Sequence, residues 1–266
     1  MAERNNAGLD RDGNPFHNNG WVSLINHDGS VNTLKWLTSD DDTGAFVNDP
    51  FGVDIVDGVL YINDRTGGET IQFRLNGTDD PVVAAITMWD VATGEWLGHH
   101  SVADSTGFND LAVAADGTIY ASETSDPFGL RQGRVFQVNT DGTWSVFAEG
   151  EVLSRPNGVA IDNDGNIVVV NIDGTDVLTF SPDGTLLMTE HSVDGGDDGI
   201  VIMEDGTKYV SSVRYGSISM IPPGGEAELI VVGMPGGASM CYDPTAHQLV
   251  VPMNNANALV LVPLGM

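Results

Sequence analysis

Three oxygen-bearing side chains recur at one position of a repeated sequence pattern, and they are the residues best suited to chemistry. The pattern consists of a polar residue, then Gly or Asp, then an apolar run. It places Asn109, Asn157 and Asp198 in equivalent positions. Amide and carboxylate oxygens are hard ligands that suit Ca²⁺. Asn and Asp also begin strands simply as turn residues, but the shared register favours a metal. The pattern predicts one Ca²⁺ site, with other divalent cations as alternatives. It disfavours Zn²⁺, because no His lies in this frame and Cys241 is the only cysteine.

Asp110 directly follows the first of these residues and is the candidate catalytic group. A carboxylate beside a bound cation can serve as a general base or as a nucleophile. Its alternative role is to orient Asn109 as an outer partner of the metal site. No GxSxG motif is present, so a Ser-His-Asp hydrolase has no support.

Further polar residues fall where the second strand of each repeat is expected to end. Because an up-and-down blade returns its second strand to the face where the first begins, these residues are expected to cluster around the central channel on the same face as the metal ligands. Arg65 and Arg214 are notable in a chain with few cations, and they suit either an anionic substrate group or pairing with the acidic surface. The predicted substrate-binding residues are Asp64, Arg65, Glu123, Asn171 and Arg214.

The elements that must position these residues are hairpins punctuated by Asp-Gly. Asp-Gly between alternating apolar residues is a strong hairpin signal and favours type I′ turns. PFGVDIVDGVLYIND, FNDLAVAADGTIYASE, PNGVAIDNDGNIVVVN, DDGIVIMEDGTKYVSS and GGASMCYDPTAHQLVVPMN share one frame. The frames start at Gly52, Asp110, Gly158, Gly199 and Ala238, which lie 58, 48, 41 and 39 residues apart. Four strands per unit at this period indicate a β-propeller; a β-sandwich is the second choice, but it does not explain the fixed frame.

The number of blades is less well defined by the sequence. Five frames supply an inner strand pair, and one outer hairpin, WVSLINHDGSVNTLKWL, precedes them. The favoured interpretation is a six-bladed all-β propeller with an incomplete first blade. The alternative is a five-bladed ring that the N-terminal hairpin closes. Residues 1–20 form a polar tail, and residues 21–266 form one domain.

The charge balance excludes several classes of protein. With 10 Lys+Arg against 38 Asp+Glu, the formal net charge is −28, which excludes a nucleic-acid binder and an anionic membrane surface as partner. The sequence contains no run of 18 apolar residues, the length needed to span a bilayer. Such acidity favours solubility, a monomer and adaptation to salt. The compartment is left open: secreted, periplasmic, or the cytoplasm of a salt-adapted organism.

FNDLAVAADG, RPNGVAIDNDG and DDGIVIMEDG together resemble the SMP-30/gluconolactonase family and its paraoxonase relatives. This resemblance implies a six-bladed propeller with Ca²⁺ at the top of the channel, bound by residues matching Asn109, Asn157 and Asp198, with Asp110 as the acid/base. The family's fourth ligand, a Glu opening the first blade, has no counterpart here; Glu3 or Asp10 could replace it. Gly107 stands where sugar-lactone members carry Arg, so another lactone or ester is an equal candidate.

The expected function is Ca²⁺-dependent hydrolysis of a small-molecule lactone or related ester. The rival is a non-catalytic propeller, either a binding scaffold or a pseudo-enzyme. The first interval is longer than the later ones, and residues 66–83 account for the surplus. We expect this segment to cover the channel mouth as a lid, or else to form a surface excursion or an added edge strand.

Overall fold

Alternating apolar residues between Gly-rich turns form strands throughout the described part of the chain. The computed structural model describes residues 2–3, 20–40, 42–65, 83–105, 107–124, 133–254 and 256–265, with only the backbone at residues 2, 3 and 65. Within these ranges every regular element is a strand, which confirms the all-β prediction. No helix of the described residues is long and apolar enough to cross a membrane.

The strands in chain order are β1 (Ala2–Glu3), β2 (Trp21–Ile25), β3 (Val31–Leu37), β4 (Val53–Val56), β5 (Val59–Arg65), β6 (Ala84–Asp90), β7 (Trp96–Val102), β8 (Leu111–Val113), β9 (Ile119–Glu123), β10 (Arg134–Val138), β11 (Trp144–Glu149), β12 (Pro156–Ile161), β13 (Ile167–Asn171), β14 (Asp176–Phe180), β15 (Leu186–His191), β16 (Asp197–Ile202), β17 (Lys208–Ser212), β18 (Ser217–Ile221), β19 (Glu228–Val232), β20 (Cys241–Asp243), β21 (Gln248–Met253) and β22 (Ala258–Pro263).

Successive antiparallel strands form the blades of a β-propeller. Blades 1 to 4 are the four-stranded sheets β4–β7, β8–β11, β12–β15 and β16–β19, and blade 5 is the three-stranded sheet β20–β22. The first strands of neighbouring blades contact one another, β4 with β8, β8 with β12, β12 with β16 and β16 with β20. The first strand of each blade is therefore the inner one.

The blade count matches the five-bladed alternative, and the six-bladed interpretation was wrong. A sixth blade would need an inner strand pair ahead of Trp21, but the strand described there is the two-residue β1. The β2–β3 hairpin closes the ring instead. On one side His27 Nδ1 lies 2.7 Å from Asp243 Oδ2 of blade 5, and Gln248 donates to the His27 carbonyl at 2.7 Å. On the other side, Val22 and Leu37 pack with Trp89 and other buried residues of blade 1.

Most Asp-Gly turns differ from the predicted type I′. Only Asp57-Gly58 has two positive φ angles, 50° and 79°. In the other Asp-Gly hairpin turns only the glycine of the pair is left-handed: Gly117 has φ 86° and donates to the Ala114 carbonyl at 2.8 Å. The preceding Asp116 carboxylate accepts the Thr118 N–H at 2.9 Å. The Asp therefore stabilises a longer turn through its side chain. In two of these turns the hydroxyl of the residue after Asp-Gly also donates to the Asp, from Thr143 to Asp141 at 2.6 Å and from Ser30 to Asp28 at 2.6 Å.

Buried aliphatic and aromatic side chains fill the space between blades. Phe108 and Phe136 belong to the cluster between blades 1 and 2, with ring centroids 5.4 Å apart. Near the starts of the inner strands, the backbones approach too closely for a side chain. A Cβ on Gly158 would lie 2.5 Å from the Asp198 carbonyl oxygen of the next blade. This close approach explains the glycine of the repeated pattern and holds neighbouring strand openings together.

Candidate functional site

Asn157 and Asp198 meet where the inner strands of blades 3 and 4 begin. Asn157 Nδ2 donates to Asp198 Oδ2 at 3.2 Å, and Ser239 Oγ donates to Asp198 Oδ1 at 3.2 Å. Asn157 is 2% exposed and Asp198 is 9% exposed. Asn157 Oδ1 is buried and has no hydrogen-bond partner among the described residues. Two of the three predicted metal ligands therefore adjoin each other, and one presents an unsatisfied oxygen.

Asn109 and Asp110 open the inner strand of blade 2, one blade before Asn157. The Asn109 side chain donates from Nδ2 to Thr124 Oγ1 at 3.1 Å. Asp110 Oδ2 accepts the Val159 N–H of blade 3 at 3.1 Å. Asp110 Oδ1 faces Gly52 of blade 1, where an added Cβ would lie 2.3 Å from it. Asp110 thus occupies the register at which blades 1, 3 and 4 carry glycine, and its carboxylate lies between blades.

Ser122 connects the candidate base to the candidate metal ligands. Its Oγ accepts the Asp110 N–H at 3.1 Å and donates to the Asn157 carbonyl at 2.5 Å. Ser211 makes the equivalent bridge two blades later, accepting the Gly199 N–H at 2.9 Å and donating to the Ala238 carbonyl at 2.8 Å. Ser122 therefore fixes the spacing between Asp110 and the opening of blade 3.

Burial sets the ionisation of the acidic groups around this point. It raises the pKa of Asp110 to about 7, partly opposed by the Val159 and Leu111 N–H groups. Burial also raises the pKa of Asp198 to about 6, with Ser239 and Asn157 opposing. The neighbouring Asp197, whose oxygens lie 3.0 and 2.8 Å from Ser192 Oγ, has its pKa raised by burial to about 8. Buried carboxylates of this kind gain from a nearby positive charge.

The donor set fits a hard cation. No group of three His, Cys, Asp or Glu side chains suited to a metal occurs in the described part of the chain. The predicted set is instead two amides and one carboxylate, and the unpaired Asn157 Oδ1 beside the Asp198 carboxylate matches the oxygen ligands of Ca²⁺. Of the three predicted ligands, Asn109 has its amide nitrogen engaged with Thr124 Oγ1.

Two of the predicted substrate-binding residues are engaged within the protein. The Asp64 carboxylate accepts the backbone N–H groups of Asn48 and Asp49 at 2.8 and 2.7 Å. Glu123 is 1% exposed, and its Oε2 accepts Arg134 Nη2 at 2.7 Å and Nε at 2.9 Å. These contacts stabilise the strand ends, and they argue for structural roles at Asp64 and Glu123.

The other predicted contacts have mixed environments. Asn171 is fully buried, donates to the Val152 carbonyl at 3.3 Å, and keeps Oδ1 without a partner among the described residues. Arg214 is half exposed and pairs with Asp173 at 3.0 Å, which agrees with its acidic-surface alternative. The side chain of Arg65 and residues 66–82 of the suggested lid lie outside the described part of the chain, as do the Glu3 side chain and Asp10.

Sequence reasoning missed Arg134, Ser122 and Asp197. The local sequence around Arg134 gives no sign that this residue is buried. Its guanidinium donates to Asp104 Oδ2 at 2.6 Å as well as to Glu123. Ser122 and Ser211 carried a usable signal, since both stand in the same register of the second strand. Asp197 precedes the predicted ligand Asp198, and its burial follows from pairing with Ser212 at the start of β16.

The fold and the site define a β-propeller with a buried oxygen-rich site where its inner strands begin. The chain belongs to the SMP-30/gluconolactonase/LRE-like family, whose model matches residues 53–252. This finding confirms the family resemblance inferred from the sequence. No curated protein sequence matches the chain.

Solved structures with a similar fold include enzymes of more than one kind. A gluconolactonase from Xanthomonas campestris is 23% identical, with a TM-score of 0.60 over 92% of this chain and 78% of that one. A streptogramin B lyase is 13% identical, with a TM-score of 0.58 over 100% and 88%. Virginiamycin B lyase from Staphylococcus aureus is 11% identical, with a TM-score of 0.53 over 82% and 70%. At these identities the likeness concerns the fold alone.

Proposed function

We propose that the protein hydrolyses lactones or related esters with the help of a bound Ca²⁺. One observation carries the proposal: the buried, unpaired Asn157 Oδ1 adjoins the Asp198 carboxylate. Ser122 bonds the Asp110 backbone N–H and the Asn157 backbone carbonyl, which fixes the strand opening that carries Asp110 beside this pair. Membership of the gluconolactonase-like family supports the reaction class. A small-molecule substrate is the expected partner.

Asn157, Asp198 and Asn109 are the residues that would hold the cation. When bound there, Ca²⁺ would polarise a carbonyl and stabilise negative charge on its oxygen. Burial of Asp198 excludes water from the carboxylate, which strengthens its attraction to a cation. The Ser239 hydroxyl holds Asp198 Oδ1 in place.

Asp110 would act as the general base. In its ionised form it accepts a proton from a water molecule whose oxygen attacks the ester carbonyl carbon. The acyl carbon–oxygen bond then breaks, and the proton passes to the departing alkoxide, which gives a hydroxy acid from a lactone or an acid and an alcohol from an ester. Because burial raises its pKa to about 7, Asp110 is a stronger base than an exposed carboxylate and is still partly ionised near neutral pH.

A panel of lactones and aryl esters tests this proposal. We expect hydrolysis that is lost with a chelator and restored by Ca²⁺. Asp198→Ala should remove it, whereas the matched control Asp205→Ala, in an exposed turn of the same blade, should retain it. Incorporation of labelled oxygen from water into the acid distinguishes hydrolysis from elimination. Lack of turnover on the whole panel, or full turnover in the chelator, contradicts the proposal.

A further inference from the structure

Blade 5 has an outer edge that no described strand covers. Its third strand, β22, ends the sheet order β20–β21–β22, whereas each other blade continues to a fourth strand. The sequence of β22 is ALVLVP, without a charged or hydrogen-bonding side chain. The outermost strands of the other sheets each carry a charged residue or His: Lys35 in β3, His99 in β7, Glu149 in β11, Glu190 in β15 and Glu228 in β19.

The backbone register shows which groups of β22 face outward. Leu264 donates its N–H to the His247 carbonyl, and Val262 and Val260 pair with Leu249 and Val251 of β21. Alternate residues of an antiparallel strand direct their backbone groups to the same side. The N–H and C=O groups of Leu259 and Leu261 therefore point away from β21. Uncharged edges of this kind are sites for pairing with another strand.

The charge of blade 5 also differs from that of the whole chain. From Gly233 to Met266 the sequence contains one acidic residue, Asp243, and no Lys or Arg, although the chain carries 38 acidic residues in total. Asp243 is bonded to His27. Blade 5 itself therefore adds little like-charge repulsion at this edge, although Asp28 of the neighbouring hairpin tip is exposed.

We propose that the edge strand β22 pairs antiparallel with the same strand of a second copy, so that the protein forms a twofold dimer through blade 5. In a twofold pairing centred on Val260, Leu259 lies opposite Leu261 of the partner subunit, and every facing pair is apolar. Two symmetric residue pairs then exchange four backbone hydrogen bonds.

The tip of the N-terminal hairpin lies beside β22, and the hairpin carries exposed apolar side chains among polar ones. A Cβ on Gly29 would lie 3.5 Å from Leu261 Cδ1, which places the tip of this hairpin beside β22. Strand β3 begins two residues later with Val31, which is 56% exposed, and Leu34 is 63% exposed. A second copy would cover apolar surface beyond the strand pair itself.

Sedimentation equilibrium of the full chain from low micromolar to high micromolar concentration tests the dimer, at low and high salt. The wild type should approach twice the 28.1 kDa of one chain, more readily at high salt, because screening weakens the overall repulsion. Leu259→Pro removes one outward N–H from each copy and should weaken the dimer roughly 30-fold, the effect of two net hydrogen bonds. Pro263 already occupies an outward position of this strand, so proline is compatible with the edge.

Leu259→Ala is the matched control, since it shortens the same side chain but keeps the N–H, and it should dimerise more strongly than Leu259→Pro. Thermal unfolding of both variants establishes that the monomer fold is retained. Hydrogen exchange of the Leu259 and Leu261 amides should slow as protein concentration rises. A wild type that stays monomeric throughout, or a Leu259→Pro variant as dimeric as Leu259→Ala, overturns the proposal.

Discussion

The substitution Asp110→Asn should make the metal-free protein more stable, and more so as the pH rises. Asn has nearly the same shape as Asp, and its Oδ1 can still accept the Val159 N–H. In the wild type, burial is the main cause that raises the Asp110 pKa from 3.8 to about 7. The folded state therefore holds this proton over a pH range in which the unfolded chain has released it, so stability falls as the pH rises through this window.

The size of the effect follows from the same shift. Each pKa unit corresponds to ~1.4 kcal/mol, so ionising Asp110 in the folded state costs ~4 kcal/mol once the pH exceeds about 7. Asn carries no charge and avoids this cost. The gain in the free energy of unfolding should therefore be small at about pH 4 and reach ~4 kcal/mol at about pH 8.

Urea unfolding in a chelator at these two pH values measures the gain. Asp116→Asn in the same blade is the control, because Thr118 hydrogen bonds lower the pKa of this exposed carboxyl. The pKa shift of Asp116 is opposite in sign to that of Asp110, so Asp116→Asn should show no stabilisation as the pH rises. An Asp110→Asn variant that gains nothing at about pH 8, or gains equally at both pH values, would refute the reasoning.

Three further predictions concern packing and charge. Arg134→Met leaves the buried Glu123 carboxylate unpaired and should lower the free energy of unfolding by ~3–5 kcal/mol. Adding Glu123→Gln should recover much of the lost stability. Urea unfolding that shows no loss in the single variant contradicts this prediction. Gly52→Ala puts a Cβ 2.3 Å from Asp110 Oδ1 and should destabilise the protein by ~1–3 kcal/mol or more. Gly237→Ala is the control, because its Cβ would have its nearest contact at 3.3 Å. Equal melting temperatures of the two variants would count against the packing argument. The net charge of −28 predicts a melting temperature that rises with KCl concentration, and a flat or falling dependence contradicts salt adaptation.

Most of the fold was predictable because each repeat consists of residue patterns that are local in the sequence. Asp-Gly pairs mark the turns, and apolar alternation marks the strands around them. The blade count was not predictable, because it depends on pairing across the ring ahead of Trp21, which local sequence patterns do not report. The type of most Asp-Gly turns also escaped prediction, since Asp116 and its equivalents use their side chains to stabilise a longer turn.

The candidate site was predictable in part, for a similar reason. The register of Asn157 and Asp198 follows from the repeat, and their contact follows from the adjacency of blades. The orientation of the Asn109 amide toward Thr124 depends on a side-chain torsion, which the repeat does not encode. The pairing of Glu123 with Arg134 joins neighbouring strands of one blade, but local patterns assign Arg134 to the surface.

The most direct test of the proposed function is the turnover of Asp110→Asn measured beside its calcium binding. Calorimetric titration should show Ca²⁺ bound by both this variant and the wild type, because Asn109, Asn157 and Asp198 are unchanged. The best substrate of the panel should be hydrolysed by the wild type with a rate that rises through about pH 7, the pKa of Asp110, and at least about a hundredfold more slowly by the variant. Wild-type turnover in a calcium-loaded Asp110→Asn variant would contradict the assignment of Asp110 as the base.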